Sequence, residues 1–122
     1  MSREPLIAVI DDDEPFRTAL VESLCSLGYR AHGFASGEEF FAASGGNSCD
    51  CVISDIHMPG MSGFDLKRLL MVRDWRVPVI MITARGGPGL EARAAASGAI
   101  CLLRKPFGAD DLMVCLKKAL EV

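Results

Sequence analysis

No stretch of these 122 residues approaches the ~18 consecutive apolar residues that a membrane-spanning helix requires, so no span is expected. A cleavable export signal is not expected either. Met1-Ser2-Arg3-Glu4-Pro5 leads straight into a short strand-like run without a small-residue cleavage site, and a cytoplasmic location follows as the default. Positive charge is not in excess: 13 Lys and Arg stand against 16 Asp and Glu, for a net charge of −3, and the basic residues are scattered. That pattern leaves out the electrostatic footprint of a direct nucleic-acid binder. The C-x-x-C spacing is absent, and the five cysteines (Cys25, Cys49, Cys51, Cys101, Cys115) are odd in number. Both a disulfide framework and a zinc site are therefore disfavoured, which leaves reduced thiols packed as small buried hydrophobes. Internal repeats, linkers and low-complexity tracts are lacking too.

What is present is a globular composition, 50% hydrophobic and 24% charged, in a length that suits one domain over residues 1–122. Apolar runs of strand length alternate with segments of helical period, five of each, the pattern of βαβ units in a parallel sheet. The runs are Leu6–Ile10, Tyr29–Phe34, Cys51–Ser54, Pro78–Ile82 and Ile100–Leu103. The second is the most mixed and is expected near an edge. Asp13-Glu14-Pro15 supplies a cap, early acids and an early proline for a first helix in which Phe16, Leu20, Leu24 and Leu27 recur until Gly28. Ser36-x-x-Glu39 is a capping box that opens a short helix through Ala43, before the turn-rich Ser44–Ser48. Met58–Gly63 reads as a loop ahead of a helix carrying Leu66, Leu69 and Leu70. An alanine-rich helix is expected over Leu90–Ser97, and Leu112, Cys115, Leu116, Ala119 and Leu120 give the last helix its apolar face.

Four chemically pointed groups each follow one of these runs: Asp11 and Asp12, then Asp55, Thr83 and Lys105. In a parallel sheet all of them converge on the rim beyond the carboxyl ends of the strands, where open α/β sheets place their sites. Three clustered carboxylates repel one another unless a hard divalent cation, Mg²⁺ or Mn²⁺, sits among them. A hydroxyl and an ammonium on the same rim add donors for an anion. The set reads as a metal-assisted phosphoryl site with one carboxylate free to act as nucleophile.

Together, Val9-Ile10-Asp11-Asp12-Asp13-Glu14, the run from Ile53 to Gly63, Pro78–Ala84 and Lys105-Pro106-Phe107 make the chain resemble the receiver domain of two-component response regulators. The resemblance covers essentially the whole chain. It implies a flavodoxin-like three-layer αβα sandwich with a parallel sheet of order 2-1-3-4-5. It implies that Asp55 accepts a phosphoryl group from a sensor histidine kinase or a histidine phosphotransfer protein. Asp11, Asp12, Asp55 and the His57 backbone carbonyl would hold Mg²⁺, Lys105 would pair with Asp55 or its phosphoryl group, and Thr83 would bond a phosphoryl oxygen. The fourth helix, fifth strand and last helix would form the output face, toward a partner or a second copy of the chain. The resemblance also implies a cis Lys105-Pro106 bond, against a general frequency of only ~5% at X-Pro.

The sequence departs from that family in one place, three residues before the lysine. A Tyr or Phe is usual there and Leu102 stands instead, so the switch pair is Thr83 and Leu102. Phosphorylation is then expected intact, with the output change muted or read differently. His57 is expected to offer its carbonyl with its ring at the pocket mouth, and Arg85 lies near that mouth. His57 and His32 are not expected as side-chain ligands. Gly86-Gly87-Pro88-Gly89 lacks the Gly-Lys-Ser/Thr of a nucleotide-phosphate cradle and reads as a mobile loop. Two rivals stand beside the receiver reading: a phosphate-independent docking module, and a Mg²⁺-dependent phosphohydrolase with Asp11 as nucleophile and Asp13 as acid.

Overall fold

Five strands pair side by side, all parallel, in the order β2-β1-β3-β4-β5 in a computed structural model that describes residues 4–44 and 49–121. The elements alternate: β1 (Leu6–Ile10), α1 (Glu14–Ser26), β2 (Arg30–Phe34), α2 (Gly37–Ser44), β3 (Cys51–Asp55), α3 (Gly63–Val72), β4 (Val79–Thr83), α4 (Leu90–Ala96), β5 (Cys101–Arg104) and α5 (Ala109–Leu120). The expected turn over Ser44–Ser48 extends through residues 45–48, which lie outside the described residues, as do the chain's first three residues and its last.

Strand side chains alternate between two faces, and each face finds its own helices. Ala8, Ile10, Val52, Val79 and Met81 meet Phe40, Phe64, Leu66, Leu70 and Ala94 on the side of α2, α3 and α4. Ile7, Val9, Ile53, Ile80 and Ile82 meet Leu20, Leu24, Leu112 and Leu116 on the side of α1 and α5. Both faces of β1, β3 and β4 are covered, which is why those strands read as unbroken apolar runs. Full burial of one such aliphatic side chain contributes roughly 1.5–3 kcal/mol. The mixed second strand does take the edge.

Local signals explain the helix starts. The Asp13 carboxylate accepts from Phe16 N–H at 3.2 Å and caps α1, while Gly28, at φ +97°, ends it. Ser36 caps α2 by accepting from Glu39 N–H (3.0 Å), but Glu39 reaches back to the Ala35 amide (3.2 Å) rather than to that of Ser36. The reciprocal box belongs to α3: Ser62 Oγ accepts from Asp65 N–H and Asp65 Oδ2 from Ser62 N–H, each at 3.1 Å. Its start lies inside what reads from sequence as a loop.

Several boundaries shift by one residue. β2 starts at Arg30 and not Tyr29, and β4 at Val79 and not Pro78, whose missing N–H leaves only its carbonyl to accept from Val52 N–H (2.9 Å). β5 runs Cys101–Arg104 rather than Ile100–Leu103, and Ser97 caps α4 from outside it. Asp55 and Thr83 are the last residues of their strands. Two expectations fail outright: Leu27 is exposed at the end of α1, and Cys25 is an exposed thiol, although Cys51 and Cys115 are buried.

Candidate functional site

Four of the five parallel strands, β1, β3, β4 and β5, deliver the predicted residues to one rim. Asp11 follows β1 directly and is fully buried, Asp55 closes β3 at 6% exposure, and Asp12 faces solvent. Asp11, Asp12 and Asp55 each place one carboxylate oxygen within 4.8 Å of the others. Lys105 enters the group from the end of β5. Its ammonium donates to Asp11 Oδ2 at 2.7 Å and lies 3.5 Å from Asp55 Oδ2. Sequence reasoning assigned the lysine to Asp55, whereas the shorter contact is to Asp11.

The Lys105 ammonium also sits 4.1 Å from the centroid of the Phe16 ring, and Phe16 meets Phe107 edge-on at 6.0 Å. Phe16 reads from sequence only as one apolar residue of α1, and its cation–π role needed the fold. The Lys105 backbone N–H donates to Thr83 O at 2.8 Å, and the Lys105-Pro106 bond is cis.

The electrostatics follow from this packing. Burial, then the charge of Asp11, pushes the Asp55 carboxyl above its ordinary value, while Lys105 and the His57 N–H at 3.3 Å pull the other way without prevailing. For Lys105 burial opposes the charge, but the hydrogen bond to Asp11 and the two carboxylates outweigh it and hold the ammonium above the usual lysine range. The pocket is thus short of positive charge. A compact divalent cation fits that deficit and the all-oxygen donor set.

Thr83 is buried, and its hydroxyl is occupied within its own loop. It donates to Arg85 O at 2.7 Å and accepts from Arg85 N–H at 3.1 Å. The His57 ring position is exposed beside Arg85, Arg93 and the Gly86–Gly89 segment. Leu102 pairs with Met81 and packs half-buried on the α3 and α4 side, two residues before the end of β5. His32 lies exposed on the edge strand, away from the carboxylates. Asp13 is engaged in capping α1 and stands outside the carboxylate cluster, which removes the acid that the phosphohydrolase reading requires. Sequence reasoning missed Arg17, whose guanidinium donates to the Asp11 backbone carbonyl at 2.7 Å. Helical periodicity gives it no distinguishing signal.

Comparison with known proteins agrees with this geometry. The family model described as the response regulator receiver domain matches residues 7–117. The C4-dicarboxylate transport transcriptional regulatory protein DctD of Rhizobium meliloti (strain 1021) is 36% identical over 121 residues, 99% of this chain and 26% of that protein. The response regulator protein TmoT of Ectopseudomonas mendocina is 34% identical over 120 residues, 98% of this chain and 54% of that protein. The chain therefore spans about a quarter to a half of the length of these curated relatives. Among solved structures, FixJ-N superimposes with a TM-score of 0.89 at 28% identity, over 98% of this chain and 96% of that one. The chemotaxis protein CheY4 of Vibrio cholerae gives 0.85 at 29% identity, over 97% and 100%.

Proposed function

Because this chain belongs to the response regulator receiver family, we propose that its phosphoryl-accepting switch is centred on Asp55, within one receiver domain spanning residues 1–122. The observation that carries the residue assignment is the convergence of three carboxylates and one ammonium beyond the strand ends, with Lys105 reaching both Asp11 and Asp55. Asp11, Asp12 and Asp55, with the His57 backbone carbonyl, would hold Mg²⁺, or Mn²⁺ in its place. When bound, that ion offsets the repulsion between an anionic nucleophile and an anionic donor.

An Asp55 carboxylate oxygen attacks the phosphorus of a phosphohistidine on a sensor kinase or phosphotransfer protein. The new O–P bond forms as the P–N bond breaks, leaving an aspartyl phosphate on this chain and a free imidazole on the donor. Lys105 supplies a point charge to the transferred oxygens, and Thr83 a directional donor once it turns from Arg85. The family acts as a switch and not as an enzyme with turnover. The face of α4, β5 and α5 would then present the change to an output domain, a partner or a second copy. No helix among the described residues is long and apolar enough to cross a membrane, and we place the chain in the cytoplasm with its phosphodonor.

Incubation with Mg²⁺ and acetyl phosphate is expected to add the mass of one phosphoryl group, removed by hydroxylamine and mapping to the peptide that contains Asp55. Chelating the metal should prevent the gain. Absence of any adduct, together with no perturbation by beryllofluoride, would return the chain to the docking-module reading.

Lys105 supports a second expectation. Its ammonium occupies Asp11 at 2.7 Å and competes with any cation for the same oxygens. The Lys105→Met chain is expected to bind Mg²⁺ about tenfold more tightly by calorimetry, since a like charge near 4 Å is worth more than 1 kcal/mol at a partly buried site. Its phosphorylation rate should nevertheless fall by about two orders of magnitude, as when a transition-state donor is removed. Weaker Mg²⁺ binding would show that the lysine organises the pocket rather than competing within it.

A further inference from the structure

Asp11 is held at every polar atom. Its N–H donates to Phe34 O (3.1 Å), Oδ1 accepts from Asp13 N–H (2.9 Å), Oδ2 from Lys105 (2.7 Å), and its carbonyl from Arg17 Nη1 (2.7 Å). The last of these differs in kind. The Asp11 carbonyl lies in the peptide plane that joins Asp11 to Asp12, so the guanidinium fixes the orientation of the link between two carboxylates of the cluster. Asp12 is exposed, and the aim of its carboxylate depends on that backbone.

Arg17 reaches this position by a built route. It lies in the first turns of α1, its own N–H donates to Asp13 O (2.9 Å), and its side chain runs back toward the end of β1. The stem crosses the edge strand at Gly33. A Cβ placed there would stand 3.0 Å from Arg17 Cγ and 3.1 Å from Cδ, tighter than ordinary contact. Gly33 has no positive-φ requirement, so the room it leaves for this side chain is what its lack of a Cβ provides.

We infer that Arg17 is a positioning residue for the cation pocket, held in place by the passage over Gly33, and that it sets cation affinity by fixing the Asp11-Asp12 peptide plane. The inference rests on reading Asp11 and Asp12 as metal ligands. Groups that orient ligands from behind typically change metal affinity by ~10–100-fold when removed.

The test is a calorimetric Mg²⁺ titration of the full chain at fixed ionic strength, beside three variants. Arg17→Met removes charge and hydrogen bond together. Arg17→Lys keeps the charge without the planar fork. Gly33→Val leaves Arg17 intact but blocks its route, with a residue that suits an edge strand. The dissociation constant is expected to rise about tenfold in Arg17→Met and severalfold in Gly33→Val, with Arg17→Lys restoring only part of the loss. Metal-free amide exchange should quicken at Asp12 and Asp13 in the same variants, a change that a general loss of stability would not confine to that loop. If Arg17→Met does not fold, Gly33→Val decides alone. An unchanged or tighter constant overturns the inference, the tighter one because the guanidinium would then act as a repelling charge. Absence of Mg²⁺ binding to the unsubstituted chain would instead overturn the ligand assignment on which it rests.

Discussion

The Asp55→Asn chain is expected to gain no phosphoryl group from acetyl phosphate and Mg²⁺, and to be more stable than the parent when metal is removed. The first result follows from the chemistry: an amide oxygen is a poor nucleophile toward phosphorus and carries no charge for a cation to pair. The second follows from the packing. Burial and Asp11 together disfavour the charged form of Asp55 more than Lys105 favours it, so the carboxyl sits above its ordinary value in the fold. A raised carboxyl gives its stabilising contribution in full below the unfolded value near 3.9 and loses it as pH rises through the higher folded value. The metal-free parent should therefore weaken from about pH 4 upward, whereas Asp55→Asn lacks that loss. The gap should open with pH and then level off. Asparagine keeps an oxygen for the His57 N–H, so neutralisation removes the repulsion without orphaning that donor. A difference of about 1 kcal/mol, or a few degrees in Tm, is the expected scale. Thermal melts with chelator between pH 4 and 8 measure it, and a less stable Asp55→Asn chain across that range would mean that the Lys105 contact outweighs the repulsion.

Gly63→Ala should be the most damaging single methyl group near the site. A Cβ there would stand 2.7 Å from the Asp55 carbonyl oxygen and 3.0 Å from Ile56 Cα, both backbone atoms that cannot swing aside. Gly63 N–H also donates to Ile56 O at 3.0 Å, which ties the first turn of α3 to the end of β3. Two effects oppose each other. Alanine is the better helix former by at most ~1 kcal/mol. Forcing a methyl into a packed backbone contact costs about 1–3 kcal/mol, occasionally more. The clash wins, and a net loss of roughly 2 kcal/mol is expected, read as a lower denaturation midpoint in urea. Because the displaced atom is the Asp55 carbonyl, Mg²⁺ affinity should fall with it. Gly87→Ala, where nothing lies within 4 Å of the added methyl, serves as the control and should stay within about 0.5 kcal/mol of the parent. Equal midpoints for the two variants would show that the end of β3 yields more easily than its contacts imply.

Much of this arrangement is legible in the sequence because its signals are local. β1 and β4 are buried on both faces and read as continuous apolar runs, and the polar residue that ends each stands out against them. Asp13, with Pro15 behind it, announces α1 from side-chain chemistry alone. What escaped depends on proximity across the chain. Met58–Gly63 reads as a loop in sequence, although Ser62 and Asp65 cap one another around Gly63 and open α3 there. The resemblance pairs Lys105 with Asp55 or its phosphoryl group, and the closer hold on Asp11 spans 94 residues. Arg17 and Gly33 carry no joint pattern in sequence, since one belongs to a helix and the other to an edge strand that meets it side-on. Composition places Cys25 inside with the other thiols, but its position on α1 is exposed.

The two bonds between the Thr83 hydroxyl and the Arg85 backbone bear on how faithfully this domain reports its own chemistry. A threonine that turns toward an unmodified pocket forfeits both, and finds there no phosphoryl oxygen to replace them. At about 1 kcal/mol for each bond, the turned form is rarer by a factor of roughly thirty before any other contact is considered. On the proposed role of Thr83 the same two bonds would also be broken when the signal is genuine, and they would subtract that amount from what the phosphoryl group delivers. With Thr83 as the proposed switch residue, the domain would trade gain for a low background: a quiet baseline in the absence of a donor, and a smaller response in its presence.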